Sequence, residues 1–524
     1  MQFNIATMLT EARRLWPRRT MVRCADAALD YATMDERTAR VAEGLRRAGF
    51  APGSRIVIHL PNIVEFIVAY FGALRAGLVV VPLNPMLTPD ELTHLMLDAE
   101  AVAAITAYRT VVEAVGNEPR LAHVVIYAVD EMADAGDLPR FAALEATDPG
   151  DRQVARTDGD ATAIVIYTSG TTGRPKGAEL THLQAYVSCT AESELLDIGR
   201  DDVTLAVLPL FHVFGLSSVL NIAVRRGEAI YLMRRFDAQE MVDAIDRHRL
   251  TVLAGVPTMF IEMLAADWSK ADLGSVRIIV SGGAPMPVEV IHQIERRLPQ
   301  VSYVEGWGMS ESTGSGTING GVFERRLGSI GRAVWGVEIR VVDGAGNALP
   351  PGRDNVGEIV MRGHNIMKGY LNRPDATAET VKNGWLHTGD LAWRDEDGYF
   401  YIVGRVKELI IRGGYNVYAR DVEEVIHEIP GVVETAVVGK RDERLGEEVV
   451  AFVVPEPSSD VTVERVITHC KNRLAPYKCP REIHLVADLP RGPTGKIRKD
   501  LLAREALGPA APGARSGLDE SVAT

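Results

Sequence analysis

The sequence predicts an α/β fold that gives way to α+β architecture towards the end of the chain. Up to about Val334, short β-branched runs alternate with longer amphipathic stretches, a pattern typical of parallel sheets covered by helices. Past this point, alternating strands with tight turns such as Asp343-Gly-Ala-Gly346 indicate a small antiparallel barrel or sheet. A compact module that mixes helices and strands follows Gly404.

The individual elements follow from local composition. In the first part, β-branched runs predict strands at residues 54–59, 78–82, 163–167, 203–208, 251–254 and 277–280, and residues 63–76 are predicted to be helical. Alternating apolar residues predict strands at 337–342, 357–362 and 399–403. The last module is predicted to contain helices 419–427 and 463–473 and strands 433–438 and 448–454.

We expect a large N-terminal domain (1–404), built of parallel α/β subdomains and the small barrel, and a mobile small C-terminal α+β domain (405–507). Residues 508–524 are rich in Ala, Gly, Pro and Ser and are predicted to form a disordered tail.

Composition excludes several functions. The chain has 524 residues and a formal net charge of −13, which argues against a nucleic-acid-binding or basic membrane-binding surface. Four cysteines, none in a C-x-x-C pair, indicate neither a disulfide framework nor a zinc site. No signal-peptide pattern opens the sequence, and Glu65 and Arg75 interrupt its longest apolar region. We therefore expect a cytoplasmic protein without an integral membrane segment.

The stretch YTSGTTGRPKG, at residues 167–177, combines hydroxyls, glycines and one cation directly after a predicted strand. Such a loop offers bare backbone N–H groups and a positive charge, which predicts phosphate binding. It is not a Walker A loop, because no glycine stands four residues before a Gly-Lys-Ser/Thr. The alternative interpretation is a solvated turn with a surface lysine.

Four further motifs follow in order: EGWGMSE (305–311), HTGD (387–390), GRVKEL (404–409) and RGPTGKIRK (491–499). Together with the first, they resemble the motif set of the adenylate-forming superfamily, most closely bacterial fatty-acyl-CoA or aryl-CoA ligases. The resemblance implies a ligase that uses ATP, Mg²⁺ and coenzyme A. A carboxylic acid would first form an acyl-adenylate with release of pyrophosphate, and a thiol would then take the acyl group with release of AMP.

The resemblance also implies roles for individual residues. Lys496 and His212 would be catalytic, His212 as a gate beside the substrate carboxylate, and Glu311 would be both catalytic and the Mg²⁺ ligand. Lys407 would be the hinge of the C-terminal domain. The residues implied to bind ATP or AMP are Thr168, Ser169, Gly170, Thr171, Thr172, Gly173, Lys176, Gly283, Ala284, Glu305, Gly306, Trp307, Gly308, Met309, Ser310, Asp390 and Arg405. Those implied to bind coenzyme A are Arg235, Gly413 and Gly414, and those implied to line the acyl pocket are Val213, Leu216 and Met259.

The chain departs from the family pattern at three positions. Ser310 stands where a threonine is usual, so the hydroxyl is retained. Ala419 and Asp421 replace a frequent proline and glutamate, which bears on helix entry rather than on chemistry.

The substrate is expected to be an uncharged, apolar carboxylic acid, because none of the expected pocket residues is acidic or cationic. A fatty acid is the first choice and an aryl or cinnamic acid the second. Coenzyme A is favoured over an acyl carrier protein as acceptor. A luciferase-like oxygenase and a catalytically inactive nucleotide sensor are further alternatives, although Lys496 and Glu311, whose loss the sensor would predict, are both present.

Overall fold

The structure is a computed structural model that describes residues 1–24, 27–132, 134–168, 175–442, 444–457, 459–491 and 497–506. The chain forms two compact units. Unit 1 consists of Met1–Arg340, Val360–Thr388 and Arg394–Tyr401, and unit 2 of Val341–Ile359, Gly389–Trp393 and the described residues of Ile402–Thr524.

The secondary structure alternates helices and strands through most of the chain. The α-helices are α1 (Thr7–Leu15), α2 (Tyr31–Arg47), α3 (Val64–Ala76), α4 (Pro89–Asp98), α5 (Arg109–Asn117), α6 (Phe141–Glu145), α7 (His182–Leu195), α8 (Ile222–Arg226), α9 (Ala238–His248), α10 (Pro257–Ala265), α11 (Val288–Arg297), α12 (Pro374–Thr380), α13 (Ala419–His427), α14 (Val463–Arg473) and α15 (Lys499–Ala506). The strands are β1 (Thr20–Cys24), β2 (Ala27–Asp30), β3 (Arg55–His59), β4 (Val79–Pro82), β5 (Ala101–Thr106), β6 (Val125–Ala128), β7 (Thr162–Thr168), β8 (Lys176–Thr181), β9 (Val203–Ala206), β10 (Ala229–Leu232), β11 (Val252–Gly255), β12 (Ile278–Gly282), β13 (Ser302–Trp307), β14 (Thr317–Asn319), β15 (Arg332–Ala333), β16 (Val337–Val342), β17 (Gly357–Gly363), β18 (Gly369–Tyr370), β19 (Val381–Lys382), β20 (Trp385–Arg394), β21 (Phe400–Arg405), β22 (Ile410–Arg412), β23 (Tyr415–Val417), β24 (Val432–Asp442), β25 (Gly446–Pro455) and β26 (Glu482–Leu485).

Unit 1 contains two large sheets. In the first, ordered β15–β14–β13–β12–β11–β9–β10–β1–β2, neighbouring strands from β13 to β1 run parallel. The second, ordered β18–β8–β7–β4–β3–β5–β6, is parallel from β7 to β6 and antiparallel from β7 to β18. Strand β11 is buried at every position, as expected of a parallel sheet covered on both faces.

A third sheet has the strand order β16–β17–β20–β19, with β21 paired to β20. It is the curled antiparallel sheet that the alternating strands after Val334 predict. In unit 2, β23–β22–β25–β24 form an antiparallel sheet and β26 pairs parallel to β25. Helices α13 and α14 cover it through Val422, Ile426 and Val466, all fully buried.

The predicted α/β and α+β architecture is confirmed, and helices α13 and α14 begin and end at the predicted residues. Strand β24 is longer than predicted, because its polar end, Gly439–Asp442, keeps pairing with β25. In α3, Arg75 is only 2% exposed and forms a 2.7 Å ion pair with Asp35. Within the described residues, no helix has the length and apolarity needed to cross a bilayer.

Candidate active site

Several predicted site segments lie at the carboxyl ends of the parallel strands of unit 1. Strands β11, β12 and β13 are parallel neighbours, so the residues that follow them meet at one edge of the sheet. There, Gly283 adopts a left-handed φ of 82° and, like Ala284, is exposed. Gly282 pairs with Gly306, which brings the segment Glu305–Trp307 beside it. This edge is where ligands bind in open α/β sheets.

The segment after β13 contains a close backbone approach. A Cβ atom on Gly308 would lie 2.2 Å from the carbonyl oxygen of Gly314, closer than real contacts allow. Met309 follows, and its backbone N–H donates to the Ser312 hydroxyl at 3.0 Å, which closes a short 3₁₀ helix over Ser310–Ser312. Glycine at position 308 is therefore required for this chain path.

Glu311 is held by a tyrosine that the motif analysis did not identify. The Tyr370 hydroxyl donates to Glu311 Oε1 at 2.8 Å, and the two side chains are 8% and 6% exposed. Burial, and then the neighbouring carboxylate of Glu311, raise the pKa of Tyr370, so it stays a neutral donor. Tyr370 is 59 residues from Glu311 in sequence, and no spacing pattern links them.

Lys176 lies beside the same tyrosine. Strands β7 and β8 pair antiparallel, with Thr168 opposite Lys176, and Lys176 Nζ is 5.1 Å from the centre of the Tyr370 ring. A cation at this distance from an aromatic face is attracted by it. The predicted phosphate-binding residues between the two strands (Ser169, Gly170, Thr171, Thr172 and Gly173) lie outside the described residues.

The predicted acyl pocket begins at His212. The Phe214 backbone N–H donates to His212 Nδ1 at 3.2 Å, so this nitrogen is an acceptor and a neutral ring carries its proton on Nε2. The chain then forms a π-helix at Phe214–Asn221, a form that occurs frequently at functional sites. Val213 and Leu216 are buried, and Met259, in the first turn of α10, is partly buried against the core.

The ring of Phe214 lies against glycine backbone. A Cβ on Gly282 would come within 3.0 Å and 3.2 Å of two Phe214 ring carbons and 3.1 Å of the Gly306 carbonyl oxygen. Any larger residue at 282 would displace the ring. The aromatic side chain therefore covers the carboxyl end of β12, next to Gly283.

In unit 2, Asp390 and Arg405 are brought together. Arg405 Nε lies 2.7 Å from Asp390 Oδ1, and Asp390 is only 5% exposed while the arginine side chain is half exposed. Gly413 and Gly414, with φ of 57° and 83°, form the exposed turn between β22 and β23. Lys407 lies in a 3₁₀ helix at Val406–Glu408.

For two predicted residues, Arg235 and Lys496, we describe only the position in the chain. Arg235 is exposed after β10. Lys496 lies outside the described residues. Arg491 and Ile497, the described residues on either side of that gap, form an antiparallel bridge.

A divalent ion is compatible with Glu311. In the described part of the chain, no cluster of three or more metal-ligating side chains exists. Mg²⁺ is commonly bound by one or two carboxylates together with substrate phosphates and waters, and a single buried glutamate suits that mode.

Comparison with known proteins places these features in one family. The family description "AMP-binding enzyme" matches residues 9–371, and "AMP-binding enzyme C-terminal domain" matches residues 421–496. This chain belongs to the AMP-binding enzymes. It is an adenylate-forming acid–thiol ligase, and its reactants include ATP, with Mg²⁺, and coenzyme A.

Relatives and solved structures cover nearly the whole chain. A feruloyl-CoA synthase from an Amycolatopsis species is 37% identical over 499 residues, 94% of this chain and 96% of that protein. A long-chain-fatty-acid–CoA ligase, FadD13 of Mycobacterium tuberculosis, is 33% identical over 96% of this chain and 98% of its own. The crystal structure of ATP-bound MatB from Rhodopseudomonas palustris superposes with a TM-score of 0.88 at 30% identity, covering 97% and 99% of the two chains.

Proposed function

We propose that this ligase activates an aromatic carboxylic acid of the cinnamic type and transfers it to coenzyme A. The acid's carboxylate oxygen attacks the α-phosphorus of ATP, and the bond to pyrophosphate breaks. The thiol of coenzyme A then attacks the acyl carbon, loses its proton, and AMP leaves.

The single observation that supports an aromatic acid is the packing of Phe214 against Gly282. A phenyl ring over glycine backbone, bordered by the apolar Val213, gives a flat, apolar wall at the predicted acyl pocket. Planar rings stack favourably against such a wall. The similarity to a feruloyl-CoA synthase agrees with this proposal. A fatty acid is the second candidate, because the fatty-acid–CoA ligase relative matches 96% of the chain at 33% identity.

We assign the residues of unit 1 to the first half-reaction. This half-reaction joins two anions, the substrate carboxylate and ATP, so the site must above all neutralise their charge and position them. Lys176 and the predicted phosphate loop would bind the leaving pyrophosphate. Glu311, oriented by Tyr370, would hold Mg²⁺, which neutralises phosphate charge when bound. His212, whose Nδ1 accepts a hydrogen bond from the Phe214 backbone N–H, would lie beside the substrate carboxylate as a gate.

We assign the remaining predicted residues to the nucleotide and to the second half-reaction. Asp390 would accept hydrogen bonds from the ribose hydroxyls, since an ionised carboxylate is acceptor-only, and Arg405 would hold it in place. A C-terminal domain beginning near residue 405 would turn about Lys407, withdraw Lys496 and bring Gly413 and Gly414 to the thiol. A cytoplasmic location is part of the same proposal.

The test is an acid panel with ATP, Mg²⁺ and coenzyme A. It contains cinnamic, benzoic and saturated fatty acids, and pyrophosphate, AMP and acyl-CoA are measured. We expect the cinnamic acids to give the highest kcat/KM and all three products in equal amounts. Fatty acids as better substrates would refute the aromatic assignment, and release of ADP with phosphate would refute the whole reaction. Replacing coenzyme A with a holo acyl carrier protein tests the alternative acceptor.

A further inference from the structure

One buried asparagine joins the carboxyl ends of the two large sheets of unit 1. Asn62 follows β3 of the second sheet and is only 6% exposed. Its Nδ2 lies 3.3 Å from the carbonyl oxygen of Ala206, 3.0 Å from that of Leu208 and 3.4 Å from that of Met233. Its Oδ1 accepts from the Leu210 backbone N–H at 2.9 Å. All four partners lie at or just after the ends of β9 and β10 in the first sheet.

The amide of Asn62 supplies hydrogen bonds that no strand ladder provides here. Strands β3 and β9 belong to different sheets, so their backbones do not pair. Leu210 is fully buried, and without the amide its N–H would lose this acceptor in the interior, where water does not replace it. A buried polar side chain with such contacts fixes the local path of the chain.

The segment that Asn62 holds leads directly to His212. The His212 backbone N–H donates to the Pro209 carbonyl at 3.0 Å, and the Leu216 N–H donates to the His212 carbonyl at 2.9 Å. A Cβ on Gly215 would lie 2.4 Å from the Pro209 carbonyl oxygen, so the turn packs directly on the start of the π-helix. A displacement of the residues that Asn62 holds therefore moves His212, because the tight turn between them has little freedom to absorb it.

We propose that Asn62 is a positioning residue, which holds His212 in place so that the acyl-adenylate is kept from water until the thiol arrives. This inference rests on the proposed role of His212 as a gate, and it is the same for every candidate acid. Asn62 is not itself catalytic, since its amide contacts backbone atoms. The motif analysis did not identify it, because its partners are 144 to 171 residues away in sequence.

A displaced gate has a defined chemical consequence. Water attacks the acyl carbon of the adenylate and loses a proton, and the bond from that carbon to the AMP oxygen breaks. Free acid and AMP leave, and no acyl-CoA forms. Exclusion of water is what protects a reactive intermediate from this loss. Pyrophosphate release then exceeds acyl-CoA formation, whereas a smaller fraction of folded protein lowers both products in proportion.

The experiment measures pyrophosphate and acyl-CoA in parallel, with ATP, Mg²⁺, coenzyme A and the acid of the panel that has the highest kcat/KM. The wild-type protein should form the two products in equal amounts. Asn62→Ala should release about twice as much pyrophosphate as acyl-CoA or more, because a small misplacement caused from outside the reacting centre is enough to disturb it. His212→Ala should shift the ratio in the same direction. The double variant should be no more uncoupled than His212→Ala, since one residue acts through the other.

Asn4→Ala is the matched control. Asn4 is 3% exposed, donates to the carbonyls of Leu74 at 2.8 Å and Ala155 at 3.1 Å, and accepts from the Ala6 N–H at 2.9 Å. The two asparagines thus make the same kinds of contact, but those of Asn4 lie in no predicted site segment. Asn4→Ala should lower the melting temperature and leave the product ratio at the wild-type value.

A wild-type product ratio in Asn62→Ala would overturn the inference, whatever its melting temperature. Additive uncoupling in the double variant would overturn it as well, because the two residues would then act independently. A fully coupled His212→Ala variant would refute the gate and the inference together. Failure of the aromatic assignment leaves the test intact, since the acid is chosen by turnover. If Asn62→Ala does not fold, Asn62→Ser, whose single shorter hydroxyl cannot keep all four contacts, decides the question by the same ratio.

Discussion

Glu228 provides a stability test that is independent of ligands. The residue lies just before β10, is fully buried, and accepts a 2.8 Å hydrogen bond from Thr204 Oγ1 through Oε2. Its Oε1 is buried with no hydrogen-bond partner among the described atoms. Burial, and to a lesser degree the charge of Asp202, raise the pKa of Glu228 from 4.5 to about 8. The folded protein therefore keeps this proton at neutral pH.

The pH dependence that Glu228 gives to stability follows from the linkage between proton binding and folding. The folded state binds the proton more tightly than the unfolded chain, so this contribution to stability is complete below pH 4.5 and is lost as pH rises through about 8. Each pH unit between these two pKa values lowers the free energy of unfolding of the wild-type protein by about 1.4 kcal/mol. A Glu228→Gln variant, which mimics the protonated form at every pH, should gain about 3–4 kcal/mol over wild type between about pH 5 and pH 8, because titration is incomplete at both ends of this range.

The assay is urea denaturation of both proteins at intervals from about pH 5 to pH 8, followed by intrinsic fluorescence. The difference between their midpoints should widen steadily with pH. Glu113→Gln, at an exposed position on α5, should show a constant offset instead. Parallel profiles for Glu228→Gln and wild type would mean that Glu228 titrates as it does in the unfolded chain, and the reasoning from burial would fail.

Three further substitutions test the site and the core. Lys496→Ala should slow adenylation by a factor on the order of 10² or more, as expected for a lost transition-state donor. It should affect acyl transfer from supplied acyl-adenylate much less. Equal losses in both half-reactions would contradict the assigned role. Tyr370→Phe removes the 2.8 Å hydrogen bond to Glu311 and should raise the Mg²⁺ concentration needed for half-maximal pyrophosphate release about tenfold. An unchanged Mg²⁺ dependence would show that the Tyr370 hydroxyl does not orient the Glu311 carboxylate. Arg75→Met leaves the buried Asp35 carboxylate without its 2.7 Å partner and should cost about 3–5 kcal/mol of stability in thermal denaturation; a melting temperature equal to that of wild type would refute this.

Much of the fold could be predicted from sequence, because the pattern of apolar residues reports burial directly. The strand predicted at 337–342 is β16, and helices α13 and α14 have their predicted bounds. The polar end of β24 was missed, because Lys440–Asp442 carry no apolar alternation and their strand conformation comes from pairing with Glu448, Glu447 and Gly446.

The π-helix at Phe214–Asn221 was also missed, for a related reason. Its residues are apolar or small, a composition equally suited to an α-helix or a buried strand. A Cβ on Gly215 would lie 2.4 Å from the carbonyl oxygen of Pro209, so the local chain path is constrained by a backbone contact that composition does not report.

By itself, the sequence determined the family and its ordered motifs, because phosphate, ribose and metal each require particular side-chain chemistry at short, recognisable spacings. Only the tertiary structure decided which side chains complete those motifs. Tyr370 reaches Glu311 across 59 residues, and Ser315 reaches Glu192 across 123. Such contacts depend on how sheets and helices pack, and a tyrosine or a buried glutamate has no local signature of the partner it will meet. The wall that Phe214 forms over Gly282, on which the proposed aromatic substrate depends, is likewise a property of the folded chain.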